Sequence, residues 1–296
     1  MKKSNLLLLV ILVLLAVLIG QVASRVVITS IDTASTSTDQ VRMSTTTVSM
    51  TTGEVQGPID QQAKQLVEAY PDLLMVGPHD SNAIIWKKDN TRMRFDDGVL
   101  GKDLKTMLSQ PDLQDEMAMP YASGKQFTIK KDYDPGRVRF EPFFKKMYGA
   151  TEAEVKASLE TVYWLPSFSN QPLLVTRVNG VSQKLQAISN ELDRLVQQPG
   201  QSNLLTYLKD PGGTFKWRNI AGTDRLSPHS FGIAIDINSA YSDYWQRSTD
   251  GGAAYHNQIP MEIVKVFEKY GFIWGGKWYH YDTMHFEYRP ELLMNQ

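Results

Sequence analysis

Two stretches of this chain concentrate the residue types that hold metals and move protons. The first is S-P-H-S-F-G-I-A-I-D over residues 227–236, where one histidine and one aspartate flank small and β-branched residues. The chain has only five histidines, so their placement is informative. From Gly232 the segment has strand character, with Ile233, Ile235 and Ile237 on one face and Gly232, Ala234, Asp236 and Asn238 on the other. A buried strand ordinarily fills both faces with apolar bulk, so the bare face is expected to leave room for something else. The second stretch is G-F-I-W-G-G-K-W-Y-H-Y-D-T-M-H-F-E over residues 271–287. Its end alternates, setting His285 and Glu287 on one face against Met284, Phe286 and Tyr288 on the other. If His229, Asp236 and His285 converge, two imidazoles and one carboxylate make a three-ligand site with an open position, the composition of a catalytic zinc centre. That donor set suits one Zn2+ per chain better than Ca2+ or Mg2+, which prefer all-oxygen shells.

Hydrolysis at such a centre also needs a base for the attacking water and a positive partner for the developing oxyanion. Asp282, three residues before His285, is the candidate base. Arg218, in F-K-W-R-N-I just upstream of the first stretch, is the candidate positive partner. The chain contains no cysteine, which excludes disulfides and thiolate ligands.

Taken together, G-T-F-K-W-R-N-I-A-G-T-D-R-L-S-P-H-S-F-G-I-A-I-D-I-N, G-F-I-W-G-G-K-W and D-T-M-H-F-E closely resemble the D-alanyl-D-alanine carboxypeptidase family of zinc peptidases. That family also contains L-alanyl-D-glutamate endopeptidases. Its pattern is S-x-H-x-x-G-x-A-x-D, then a Glu or Asp three residues before a second His within D/E-x-x-H-F-E. The resemblance spans roughly residues 212–288. It implies that His229, Asp236 and His285 are the zinc ligands, Asp282 the catalytic base, and Arg218 the residue that polarises the scissile carbonyl. It further implies a small α+β fold with zinc on an antiparallel sheet, and peptidoglycan stem peptides as substrate. The base is Asp here, one methylene shorter than the Glu alternative. The expected activity is a D-alanyl-D-alanine carboxypeptidase; an L-alanyl-D-glutamate-type endopeptidase, a zinc hydrolase for another bond and a silent peptidoglycan-binding module are the alternatives.

The elements that must position these residues are partly legible. Ala63, Leu66, Val67 and Tyr70 have helical spacing before Pro71, and residues 83–87 and 92–95 form a candidate hairpin around K-D-N. Thr151 with Glu154 predicts a helix that runs until Pro166. Val181, Leu185, Ile188, Leu192 and Leu195 predict an amphipathic helix ended by Pro199-Gly200. Residues 213–218 are expected to be a short strand, and Pro260 to open a helix that Gly271 closes. Few helices before a strand-rich C-terminal half give an α+β arrangement. The turn-like D-Y-D-P-G-R at 132–137 has no assignable role. His79, His256 and His280 are expected to be structural, with His280 also a candidate outer contact of the site. Trp274, Gly275, Gly276 and Trp278 fit either core or substrate wall, and Tyr241, Tyr244 and Trp245 a loop lining the cleft.

Lys2 and Lys3 precede an unbroken apolar run at residues 6–20, and the next charge is Arg25. This is an export signal. Residues 1–25 are therefore a signal peptide or signal anchor, with retention in a bacterial inner membrane through residues 6–24 favoured over removal; either places the body outside the cytoplasm. Residues 26–57, dense in Ser and Thr, form an expected disordered tether. Residues 58–150 make a mixed α/β region without an assigned role, and residues 151–296 the expected zinc peptidase domain. Net charge of −1 supplies no basic field, so nucleic acid is not an expected partner.

Overall fold

The computed structural model describes residues 58–78, 82–124, 127–248 and 254–293, with the backbone alone for 58–60. The expected export segment, the Ser/Thr-rich tether and His79 lie outside the described residues. Among those described, no helix is long and apolar enough to cross a membrane.

Among the described residues, helices alternate with three small antiparallel sheets, an α+β arrangement. The helix Pro58–Ala69 buries Ala63 and Leu66, and Tyr70 follows them into the core ahead of Pro71. Next comes a meander of β1 (Leu74–Val76), β2 (Ala83–Trp86) and β3 (Arg92–Arg94). The β2–β3 turn places Asn90 at a positive φ of 54°, and the Asp89 carboxylate accepts from the Thr91 N–H at 3.0 Å, a side-chain turn of the kind Asp favours.

The helix expected to reach Pro166 is short. Thr151 does cap Glu152–Lys156, accepting from the Glu154 N–H, but Glu154 returns its bond to Ala150 and the helix ends at Lys156. Beyond it, β4 (Leu159–Trp164) pairs over its whole length with β5 (Gln171–Thr176). Val162 and Trp164 point into the core, covered by the helix Val181–Val196. A cap contributes about 1 kcal/mol, less than burying a β-branched and aromatic strand face, so tertiary packing overrides the local signal.

The site-bearing sheet has the order β6 (Ala234–Asp236), β8 (His285–Tyr288), β7 (Phe272–Trp274). Its back is sealed by the helix Met261–Lys269, whose Ile263, Val264 and Phe267 are fully buried; Phe267 stacks on Phe286 at 3.9 Å. Gly271, at a φ of 88°, follows this helix as expected.

Residues 213–218 are not a strand. Gly213 makes a single bridge to Asp236, after which the chain is pinned irregularly to the ligand-bearing turn: Lys216 N–H to the His229 carbonyl at 3.2 Å, and Arg218 N–H to Ser230 Oγ at 2.9 Å. The bare face of the first stretch also has a structural explanation. Residues Pro228–Phe231 form a 3-10 turn that ends on Gly232 at a φ of 67°, so the strand starts two residues later than expected. A Cβ on Gly232 would lie 2.8 Å from Leu159 Cδ2 and 3.0 Å from the Thr176 nitrogen. Close approach of the β4–β5 hairpin therefore fills the space.

The region before residue 150 packs into the same compact unit as the site-bearing sheet. Beneath β8, Arg289 is fully buried; it donates to Glu116 at 2.9 Å and Glu287 at 3.1 Å, and pairs also with Glu291. Glu291 in turn accepts from Tyr70 Oη at 2.6 Å.

Candidate metal centre

Strand register does the first part of the assembly. In the β6–β8 pair Asp236 stands directly opposite His285, and such cross-strand partners share a face. His285 Nδ1 lies 3.0 Å from Asp236 Oδ1. His229 enters from the 3-10 turn, with Nε2 3.2 Å from the same oxygen and its ring 5.2 Å from that of His285. One ligand atom from each of the three side chains lies within 4.8 Å of the others.

The outward nitrogens are anchored. His229 Nδ1 is 2.6 Å from the Thr214 carbonyl, which orients Nε2 inward. His285 Nε2 is 3.2 Å from Glu287 Oε2, which orients Nδ1 inward. Glu287 is itself fully buried and neutralised by Arg289 and by Arg139 at 3.7 Å. Ligating histidines carry this kind of outer acceptor, which fixes tautomer and ring angle. Two inward nitrogens and one carboxylate oxygen fit a zinc ion. Burial alone would raise Asp236, yet the two imidazoles hold it well below the usual carboxylate range. Burial would lower His285, but Asp236 and Glu287 push it up to about 10. Glu287→Gln keeps an acceptor but removes the charge, and should weaken zinc affinity roughly tenfold or more; competition with a chromophoric chelator measures it.

Asp282 sits on the turn into β8. Its backbone is fixed by a bond from its N–H to the Gly275 carbonyl at 3.0 Å and by a bridge to Tyr244. Its Oδ1 is buried and makes no hydrogen bond. Burial, with Asp236 nearby, pushes the carboxyl up to about 6, despite the pull of His285 and Arg137. An unpartnered oxygen beside a donor set, with affinity for a proton near neutrality, is what a general base requires.

Arg218 is placed differently from the other four. Its backbone carbonyl accepts from Ser227 N–H at 3.0 Å and Ser230 Oγ at 2.8 Å, which ties it to the ligand-bearing turn. The guanidinium itself is exposed and reaches the Asn219 carbonyl at 3.5 Å, with no contact to the three ligands among the described residues.

Several surrounding residues combine roles. Trp274 and Trp278 are both buried in the core; Trp274 donates to the Thr283 carbonyl at 2.8 Å, and the Trp278 ring lies 5.7 Å from the His285 ring. Trp245 stands edge-on to His280 at 4.5 Å, and His256 packs against Tyr281. His280 is held by Asp134, Nδ1 to Oδ2 at 2.6 Å. Thr214 and Asp134 had no recognisable signal: one acts through its main chain and the other is separated from its partner by 146 positions.

A His–Asp–His group carried by two paired strands and the turn before them, beside a buried carboxylate, defines the class as a candidate metallohydrolase. Residues 221–288 match the model of a family described as D-alanyl-D-alanine carboxypeptidase. The matched stretch carries His229, Asp236, Asp282 and His285, and it is similar to the family that the motifs resemble; Arg218 lies just ahead of the matched residues. No curated protein and no solved structure matches the chain.

Proposed function

We propose that the protein is a zinc-dependent peptidase acting on peptidoglycan stem peptides, with D-alanyl-D-alanine carboxypeptidase activity as the leading reading. The observation that carries it is the convergence of His229 Nε2, Asp236 Oδ1 and His285 Nδ1 within 4.8 Å. His229, Asp236 and His285 would hold the zinc, which would supply Lewis acidity for the scissile carbonyl and make water more acidic. Asp282 takes the proton of the attacking water and returns it to the leaving amine. Arg218 extends from the exposed strip beside the ligand turn to polarise the carbonyl. Trp278 and the Tyr244–Trp245 turn wall the site. The segment at residues 6–24, with its apolar run at 6–20, anchors the body outside the cytoplasm of a bacterium, where such peptides are found.

Mass spectrometry of muropeptides digested with the purified protein tests this. The expected result is loss of a terminal D-alanine, abolished by a chelator and restored by zinc. Cleavage between L-alanine and D-glutamate would transfer the assignment to the endopeptidase alternative. Intact peptides with retained binding would mean a silent module.

A further inference from the structure

The loop D-Y-D-P-G-R is built into the wall of the metal centre. Tyr279 N–H donates to the Tyr133 carbonyl at 3.0 Å, Trp278 Nε1 to the Pro135 carbonyl at 2.6 Å, and His280 N–H to Asp134 Oδ1 at 2.8 Å. Asp134 is 1% exposed. Gly136 takes a φ of 97°, and a Cβ there would overlap Ile273 Cδ1 and lie 3.1 Å from Glu287 Oε1. Its carbonyl accepts from Arg289 Nη1 at 2.9 Å and Arg139 Nη1 at 3.0 Å. This many bonds fix the loop, and with it the side chain of the next residue.

That residue is Arg137. Its Nη1 donates to the His280 carbonyl at 2.8 Å, and its guanidinium carbon lies 5.4 Å above the Trp278 ring, the ring that faces His285. Among the described residues no carboxylate pairs with it. A guanidinium has five N–H donors, and the His280 carbonyl engages one end of the fork. Other positive charge stands close by: Arg225 Nη1 donates to the Arg137 carbonyl at 2.9 Å. Burial pulls both Arg225 and Arg139 down, and repulsion from Arg137 adds to it. An anion placed at Arg137 relieves that repulsion. Burial raises Asp282 and Tyr244, and the Arg137 charge offsets part of that rise in both.

A structural bond to one carbonyl needs no uncompensated cation; a carboxylate receptor does, and the planar fork matches a carboxylate with two parallel bonds. We propose that Arg137 receives the free carboxylate of the substrate, and so selects peptides that end beside the scissile bond. The identity of the substrate here rests on the peptidase reading, and it favours the carboxypeptidase over the endopeptidase. The region before residue 150 would then supply the specificity of a centre whose ligands all come from after residue 228.

The test is binding, measured separately from turnover. Zinc-loaded full-length protein carrying Asp282→Asn is titrated calorimetrically with N-acetyl-L-lysyl-D-alanyl-D-alanine and with its C-terminal carboxamide. The acid is expected to bind at least tenfold tighter than the amide, and Arg137→Ala in the same background to erase that preference by weakening the acid alone. Arg137→Lys, which keeps the charge but loses the fork, should give an intermediate preference, and it carries the test if the alanine variant does not fold. Equal weakening of both peptides, a preference that survives the substitution, or no preference in the parent overturns the assignment. Failure of the unsubstituted protein to cleave any stem peptide would remove the peptidase reading, and the binding comparison would still decide the role of Arg137.

Discussion

Asp282→Ala is expected to lower turnover by roughly 10²- to 10⁴-fold, the range for loss of a positioned general base, while zinc stays bound. The separation follows from where the residue is attached. Its side chain makes no hydrogen bond to His229, Asp236 or His285, whose inward atoms are oriented by one another, by Thr214 and by Glu287. The Asp282 contacts that position β8 are main-chain ones, to the Gly275 carbonyl and from the His285 N–H at 3.2 Å, and alanine preserves them. Removing a buried, unpaired oxygen even relieves a desolvation cost. Turnover of muropeptides together with metal content by atomic emission gives both readings. Retained turnover would remove Asp282 from the mechanism, and loss of zinc would make it a ligand.

The second large effect is on stability. Arg289→Ala should destabilise the protein by about 3–5 kcal/mol, the cost of breaking a buried ion pair by removing one partner. For a unit of this size that lowers Tm by roughly ten degrees or more. Arg289 is fully buried and its guanidinium serves three carboxylates, Glu116, Glu287 and Glu291, as well as the Gly136 carbonyl. Their combined field raises its already high pKa. Without it Glu287 keeps only Arg139 as a cationic partner beyond His285, so zinc affinity should fall too. Glu116→Gln is the informative contrast. Burial already pushes Glu116 up to about 7, so replacing it with a neutral isostere should cost much less. Thermal melts of the two variants compare them; equal losses would mean that packing, not charge, holds this cluster.

The candidate metal centre was legible because its chemistry sits in two short windows with strand periodicity. Once Asp236 and His285 alternate with core residues, antiparallel pairing needs only the observed register to set them face to face. The helices at 58–69, 181–196 and 261–269 were legible for a similar reason, since each carries its own apolar stripe and stop signal. What failed was decided at long range. The Thr151 cap marks a helix start but says nothing of the hairpin that takes over at Leu159. Residues 213–218 look extended, yet their bonds go singly to the ligand turn, so no ladder forms. Asp134 and Arg137 are anonymous in a turn motif because their partners, at Trp278 and His280, lie about 140 positions away.

The chain of bonds from Tyr70 through Glu291, Arg289 and Glu287 to His285 has a practical corollary for anyone dividing this protein. The family-matched segment cannot be lifted out as a cassette, because Glu287 within it pairs with Arg139 and Arg289, and Arg289 in turn rests on Glu116 and, through Glu291, on Tyr70. A transplantable version has to begin at or before Pro58, and any fusion partner belongs upstream of that point.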